Sequence, residues 1–234
     1  MKPVNVLGII PARGGSKSIP SKNVAALRGR PLIAYTLDAT TRSKTLTRTV
    51  VSTDDPTIAE VARSLGADVP FLRPADISND DTPMLAVIQH SVAWLSKAGF
   101  EAEIIVLLQP TSPLRRPEDI DAAVQLLQSG DADTVVSVVE VPHQFTPQSL
   151  MEIKDGFLVA GVAQSAPILR RQDKVRMYAR NGPAVLAMRR SVFESDRLYG
   201  DRILPLVMPR ERSVDVDDAV DLQLAEFWLD NPNT

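Results

Sequence analysis

Short apolar runs alternate with amphipathic stretches along most of the chain. Val4–Ile10 is nearly continuous in apolar residues, as expected of a strand buried on both faces. Pro31–Thr41 then reads as a helix, with proline in its first turn and Leu32, Tyr35 and Leu37 as candidate inward positions. Arg48–Thr53 reads as a strand, and Pro56–Leu65 as a helix closed by Gly66. Val69–Leu72 is a candidate short strand, and Thr82–Ala98 a long helix ended by Gly99. The strand Glu103–Leu108, the helix Pro117–Gln128 and the strand Thr134–Val141 follow. This alternation predicts a Rossmann-like α/β fold, with a mostly parallel sheet covered by helices on both faces. In such sheets ligands sit at the carboxyl ends of the strands. The polar segments Arg13 to Lys22, Ser52-Thr53-Asp54 and Gln109-Pro110-Thr111-Ser112 each directly follow a strand.

Between Pro142 and Arg180 the pattern changes. His143-Gln144-Phe145-Thr146-Pro147 reads as an irregular loop. Asp155-Gly156 between Met151–Lys154 and Phe157–Ala160 is a hairpin signal. Arg170, Arg171, Lys174, Arg176 and Arg180 form a basic cluster. The chain is therefore expected to be one domain over residues 1–234, with an inserted lobe at about 142–180. The core resumes at Ala184–Met188 and Ile203–Val207, and Asp217–Leu229 reads as the last helix. No internal repeat or low-complexity segment is evident.

With 234 residues, 44% hydrophobic and 24% charged, the composition is that of an ordinary globular protein. The formal net charge of −3 and the 5% aromatic content suggest no nucleic-acid partner. The absence of cysteine excludes disulfides, thiolate catalysis and thiolate-bound zinc. Met1-Lys2-Pro3 leads straight into a strand-like run without a signal-peptide pattern, and no apolar segment has membrane-spanning length. A cytoplasmic protein with no membrane partner is the expectation.

The candidate chemistry is concentrated after the first strand, in Pro11-Ala12-Arg13-Gly14-Gly15-Ser16-Lys17-Ser18-Ile19-Pro20-Ser21-Lys22-Asn23. Glycines allow backbone N–H groups to approach phosphate oxygens, and Arg13, Lys17 and Lys22 supply countercharge. No Asp or Glu precedes Asp38. The segment therefore reads as a nucleoside-triphosphate site, against the plainer reading of a solvated basic loop. It matches neither G-x-x-x-x-G-K-[ST] nor G-x-G-x-x-G, and the missing second pattern argues against a nicotinamide-dependent oxidoreductase.

Near the other end stands Ser213-Val214-Asp215-Val216-Asp217-Asp218. On an extended segment Asp215 and Asp217 share one face, and two carboxylates suit Mg²⁺. The competing reading is capping of the last helix by Asp217 or Asp218. Asp54-Asp55 before Pro56 reads as a helix cap, and His90 as structural.

Several ordered motifs together resemble the cytidylyltransferases that activate acidic sugars, the CMP-sialic-acid synthetase (acylneuraminate cytidylyltransferase) family. They are Ile10-Pro11-Ala12-Arg13-Gly14-Gly15-Ser16-Lys17 with Pro20-Ser21-Lys22-Asn23, Val51-Ser52-Thr53-Asp54, Leu72-Arg73-Pro74-Ala75 with Asp81-Thr82, and Leu107-Leu108-Gln109-Pro110-Thr111-Ser112-Pro113-Leu114-Arg115. Arg171-Gln172, Arg180-Asn181-Gly182 and Asp215-Val216-Asp217 complete them, and the resemblance covers nearly the whole chain. It implies a nucleotidyltransferase that moves CMP from CTP to an acidic acceptor and releases pyrophosphate. Arg13, Gly14, Ser16 and Lys22 would hold the phosphates. Asn23, Arg73, Asp81 and Thr82 would surround the cytidine. Asp215 and Asp217 would bind Mg²⁺, and Gln109, Arg171 and Asn181 would face the acceptor. Arg13, Lys22, Asp215 and Asp217 would carry the catalysis. The insert corresponds to the family's dimerisation lobe, so a homodimer is expected.

One position departs from the family pattern. In many members Asn-Gly is followed by two small or aliphatic residues and then an aromatic that shapes the acceptor pocket, whereas here Val185 holds that place. A sialic-type acid is the leading acceptor, with a phosphonate or another small acid as the alternative. A non-catalytic nucleotide-binding protein is the alternative of another class.

Overall fold

The order of apolar and polar residues translates directly into the central sheet. The structure is a computed structural model and describes residues 4–16, 18–161 and 175–232. β1 (Val6–Pro11) leads into a small hairpin of β2 (Ala26–Leu27) and β3 (Arg30–Pro31), followed by α1 (Leu32–Arg42). Then come β4 (Arg48–Ser52), α2 (Pro56–Ser64), α3 (Met84–Lys97), β5 (Ile104–Leu107), α4 (Pro117–Ser129) and β6 (Thr134–Glu140). β7 (Met151–Lys154) and β8 (Phe157–Ala160) form the hairpin that Asp155-Gly156 signals, and both turn residues have positive φ. β9 (Tyr178–Arg180), β10 (Leu186–Arg189), α5 (Arg190–Glu194), β11 (Ile203–Val207) and α6 (Ala219–Asp230) complete the described fold.

The main sheet has the order β11-β6-β10-β5-β1-β4, with β9 paired to the outer half of β6. β4, β1, β5, β6 and β11 run one way, and β10 runs against both of its neighbours, β5 and β6. The expected mostly parallel sheet is thus mixed at two strands, β10 and the short β9, which runs against β6. Ala184–Met188 is as apolar as its parallel neighbours, so its composition does not reveal its direction.

Alternate residues of β1 serve opposite faces. Val6 and Ile10 join one core with Ile33 and Leu37 of α1, Ile58 of α2 and Ile120 and Val124 of α4. Leu7 and Ile9 join a second core with Ile88, Val92 and Leu95 of α3 and Phe193 of α5. Both faces are dry, which explains why the strand is apolar throughout.

Three expected boundaries shift for physical reasons that matter to the site. α3 begins at Met84 rather than Thr82, because a residue before proline disfavours helical geometry and Pro83 follows Thr82. α6 begins at Ala219, since Asp218 caps it by accepting from the Val220 and Asp221 N–H groups. Asp217 is therefore left in extended chain. Val69–Leu72 makes only isolated bridges, at Asp68 to Val50 and at Leu72 to Thr53, and Pro70 offers no N–H for a ladder. Among the described residues no helix is long and apolar enough to cross a membrane.

Candidate active site

β1 is the point at which the sheet order reverses, with β4 following on one side and β5 on the other. A crevice at the carboxyl ends of the strands is expected at such a point. A cavity of ≈ 280 Å³ lies there, lined by Pro11, by Arg13, Ser16, Lys22 and Asn23 from the segment after β1, and by Gln109, Pro110 and Thr111 after β5. Arg73, Asn79, Asp80, Thr82, Asp215 and Asp217 close its sides.

The glycine-rich segment lies against the start of α2. Asp55 caps that helix, accepting from Thr57 N–H at 2.7 Å and Ile58 N–H at 3.3 Å. A Cβ on Gly14 would sit 2.6 Å from Asp55 Oδ2 and 2.9 Å from Asp55 Cβ, so only glycine allows this approach. The Gly14 N–H donates to Asp54 Oδ1 at 3.2 Å. This corrects the expected role of Gly14, whose amide is committed to a carboxylate rather than open to a phosphate. Asp54 Oδ1 also accepts from Arg73 Nη2 at 3.2 Å. Arg73 is buried, and burial lowers its pKa from the ordinary value while Asp54 pulls it back up.

The first segment is free of acids in sequence but not in space. Arg13 pairs with Asp80 across the cavity. Lys22 Nζ donates to Val216 O at 2.9 Å and to Asp217 Oδ1 at 3.1 Å. Ser18 Oγ donates to the Asp217 carbonyl, and Asn23 Nδ2 to the Arg13 carbonyl at 2.9 Å. The cations are held in place by carboxylates from distant parts of the chain.

The segment carrying Asp215 and Asp217 is extended but not part of a sheet. Val214 and Val216 turn inward, and the Val216 N–H donates to Thr111 O at 2.7 Å. The two carboxylates therefore share the opposite face and both reach the cavity. Asp215 Oδ1 is buried without a hydrogen-bond partner among the described residues. Burial raises the Asp215 pKa, and the Asp217 charge adds to the rise, while the Thr111 hydroxyl and Lys22 oppose it. Gly182, at φ +114°, packs on this side chain, and a Cβ there would lie 3.2 Å from Asp215 Oδ2. An orphaned carboxylate oxygen beside a second carboxylate suits a hard divalent cation that keeps water and substrate oxygens as its remaining ligands.

The residues expected around the acceptor divide. Gln109 lines the cavity and donates through Nε2 to Gly182 O at 3.0 Å. Arg171 lies outside the described residues, as do Lys17, Arg170 and Lys174. Asn181, expected to face the acceptor, is turned inward and is absent from the cavity lining. It accepts from Ser137 Oγ at 2.6 Å and donates to Ser213 Oγ at 3.0 Å, with only 4% exposure. Asp81 is exposed and absent from the cavity lining, where its neighbours Asp80 and Thr82 stand. Val185 is fully buried in the core and exchanges hydrogen bonds with Ser137, so it shapes no pocket wall.

A family model described as cytidylyltransferase matches residues 7–192. The chain belongs to the cytidylyltransferase family. It is 31% identical over 228 residues to a CMP-N,N′-diacetyllegionaminic acid synthase of Legionella pneumophila, covering 97% of both chains. It is 30% identical to an N-acylneuraminate cytidylyltransferase of Escherichia coli, over 94% of this chain but 51% of that protein. A pseudaminic acid cytidylyltransferase of Campylobacter jejuni is 28% identical over 94% of each chain. The fold is similar to that of a solved CMP:2-keto-3-deoxy-manno-octonic acid synthetase complexed with CTP, at TM-score 0.71, 18% identity and 97% and 99% coverage.

Within this cytidylyltransferase, sequence reasoning missed the internal counter-ions Asp54 and Asp80 and the packing role of Gly182. Asp54 stands next to a residue that caps a helix, and Asp80 sits in the tandem pair Asp80-Asp81, so neither carries a distinctive local signal. Arg115 was visible only as the end of a motif. It is 3% exposed and donates to Gln109 O at 3.2 Å, Ala184 O at 2.6 Å and Thr36 Oγ1 at 2.6 Å. Burial brings its pKa down to about 10.

Proposed function

We propose that this cytidylyltransferase moves CMP from CTP to a nonulosonic acid of the sialic type and releases pyrophosphate. The observation that carries the reading is the convergence on one cavity of an orphaned Asp215 oxygen, Asp217, Lys22 and Arg13. The names of the relatives, which belong to enzymes of nonulosonic acids, support the acceptor class.

The acceptor oxygen forms a bond to the α-phosphorus as the bond to the pyrophosphate oxygen breaks. Both reactants are anions, so charge neutralisation is the main task. Asp215 and Asp217 would hold Mg²⁺, which supplies that neutralisation on the phosphate oxygens. Lys22 is already steered by Asp217 and Val216 O. Arg13 exchanges its Asp80 partner for a phosphate, and Ser16 adds a hydroxyl donor. Asn23, Arg73 and Thr82 border the nucleoside, with Asp81 at the outer edge. Gln109 and Arg171 engage the acceptor, Arg171 by two parallel hydrogen bonds to its carboxylate. Asn181 acts indirectly, by fixing the turn that places Gly182 against Asp215.

We also propose a homodimer formed through the inserted lobe. In the β7–β8 pairing, Ile153 stands opposite Leu158 and Met151 opposite Ala160. This places Met151, Ile153 and Leu158 on one face, and Ile153 and Leu158 are 77% and 67% exposed. An isolated two-stranded hairpin is marginal in water, so an apolar face of this kind calls for cover.

The test is pyrophosphate release from CTP and Mg²⁺ with N-acetylneuraminate, legionaminate, pseudaminate, 3-deoxy-octulosonate and small phosphonates. Turnover with a nonulosonate is expected. Turnover with a phosphonate alone would change the acceptor, and CTP binding without release for any acid would favour a binding protein.

A further inference from the structure

A second cavity of ≈ 290 Å³, lined by Pro113–Arg116, is close in size to the first but differs in charge, since the first sets Arg13, Lys22 and Arg73 against Asp80, Asp215 and Asp217. Five arginines line it against two carboxylates, in a chain whose net charge is −3. Two of those arginines are matched: Arg30 bonds Asp38 at 2.8 Å and Arg212 pairs with Asp119. The guanidinium groups of the other three bond no carboxylate among the described residues. Arg42 bonds only a backbone carbonyl, that of Asp38, at 3.2 Å. The Arg116 guanidinium makes no described hydrogen bond or ion pair. Arg115 is buried, its Nη atoms bond the Gln109 and Ala184 carbonyls and Thr36 Oγ1, and its Nε has no partner among the described residues. Its one nearby acid, Asp119, is already paired with Arg212.

A buried cation without a carboxylate is expensive, and the expense falls when a countercharge arrives. Guanidinium groups present a planar fork that matches phosphoryl or carboxylate oxygens. We propose that this cleft is a second ligand site, for a small polyanion presenting phosphoryl or carboxylate oxygens to the exposed guanidinium groups of Arg42 and Arg116, with the buried charge of Arg115 in the cleft wall. Trp228, half-buried in the cleft wall, offers an apolar side to the ligand's carbon skeleton where it has one. Because Arg115 also holds the carbonyl of Gln109, the cleft shares a side chain with the wall of the first cavity.

The test is calorimetric titration of the full chain with pyrophosphate, and separately with citrate as the carboxylate source, for wild type and for the Arg42→Gln/Arg116→Gln double variant. Pyrophosphate also has a place in the first cavity as product, and that component should be unaltered in the variant. The expected result is a second binding component, for one anion or both, that weakens roughly tenfold or more in the variant. CTP turnover without added anion should be unchanged. Which anion shows the component identifies the source. Titrations in which neither anion shows a component that depends on Arg42 and Arg116 would overturn the proposal.

Discussion

Around β1, β4 and β5 the strands are sealed by helices on both faces, whereas beyond β6 the chain leaves the sheet for a hairpin whose apolar residues face solvent. The first region completes itself. Its cations find carboxylates at Asp54, Asp80 and Asp217, and its loops are fixed by Asp55, Gly14 and Gly182. In the second region β9 is exposed along its length, and the outer hairpin has no buried residue among those described. The nucleotide half is therefore preorganised within one chain. The half that reaches outward leaves Ile153 and Leu158 in solvent, where the proposed dimer would cover them.

The largest effect should come from the preorganised half. Asp217→Ala removes one of the three carboxylates that line the cavity and the side-chain partner of Lys22. Mg²⁺-dependent turnover should fall by about a hundredfold or more, with circular dichroism and thermal unfolding nearly unchanged. Near-normal turnover at matched Mg²⁺ would refute the metal role. In the outer half, Ile153→Glu/Leu158→Glu places charge on the exposed hairpin face. Sedimentation should then report half the wild-type mass, with CTP affinity kept. Wild type already sedimenting as a monomer would contradict the proposed interface.

The smallest effect should lie at the edge of the preorganised half. Asp121 fastens the turn before β4, accepting from Ser43 Oγ at 2.6 Å and from the Lys44 and Thr45 N–H groups at 3.0 and 3.1 Å. Burial pushes its carboxyl up, but these hydrogen bonds outweigh it and hold the pKa below the ordinary 3.8. A carboxyl lowered on folding adds stability above its unfolded pKa and loses it as pH falls through the folded value. Asp121→Asn should cost about 1 kcal/mol at neutral pH in urea unfolding. That difference should shrink as the pH drops below about 4. A difference that is constant with pH would mean that the carboxylate charge is not what matters.

The sequence carried most of the preorganised half. Continuous apolar runs specified β1, β5 and β6, and the loops after β1, β4 and β5 could be placed at one sheet edge by chain logic alone. The expectation that Asp215 and Asp217 share a face held because Val214 and Val216 bury between them. What stayed hidden are pairings across long separations. No local pattern tells that Asp80 meets Arg13 or that Asn181 turns inward to Ser137 and Ser213. The place of Val185 was also illegible. An aliphatic residue after Asn-Gly fits a pocket wall or a sheet core equally well, and the hydrogen bonds of the Val185 N–H and carbonyl with Ser137 of β6 hold it in the core.

The most direct measurement is phosphorus NMR of CTP with the protein, Mg²⁺ and N,N′-diacetyllegionaminic acid. The account predicts that the α-phosphorus signal of CTP converts to a phosphodiester while pyrophosphate appears in equal amount. CTP that persists unchanged, or release of orthophosphate with no phosphodiester, would contradict it.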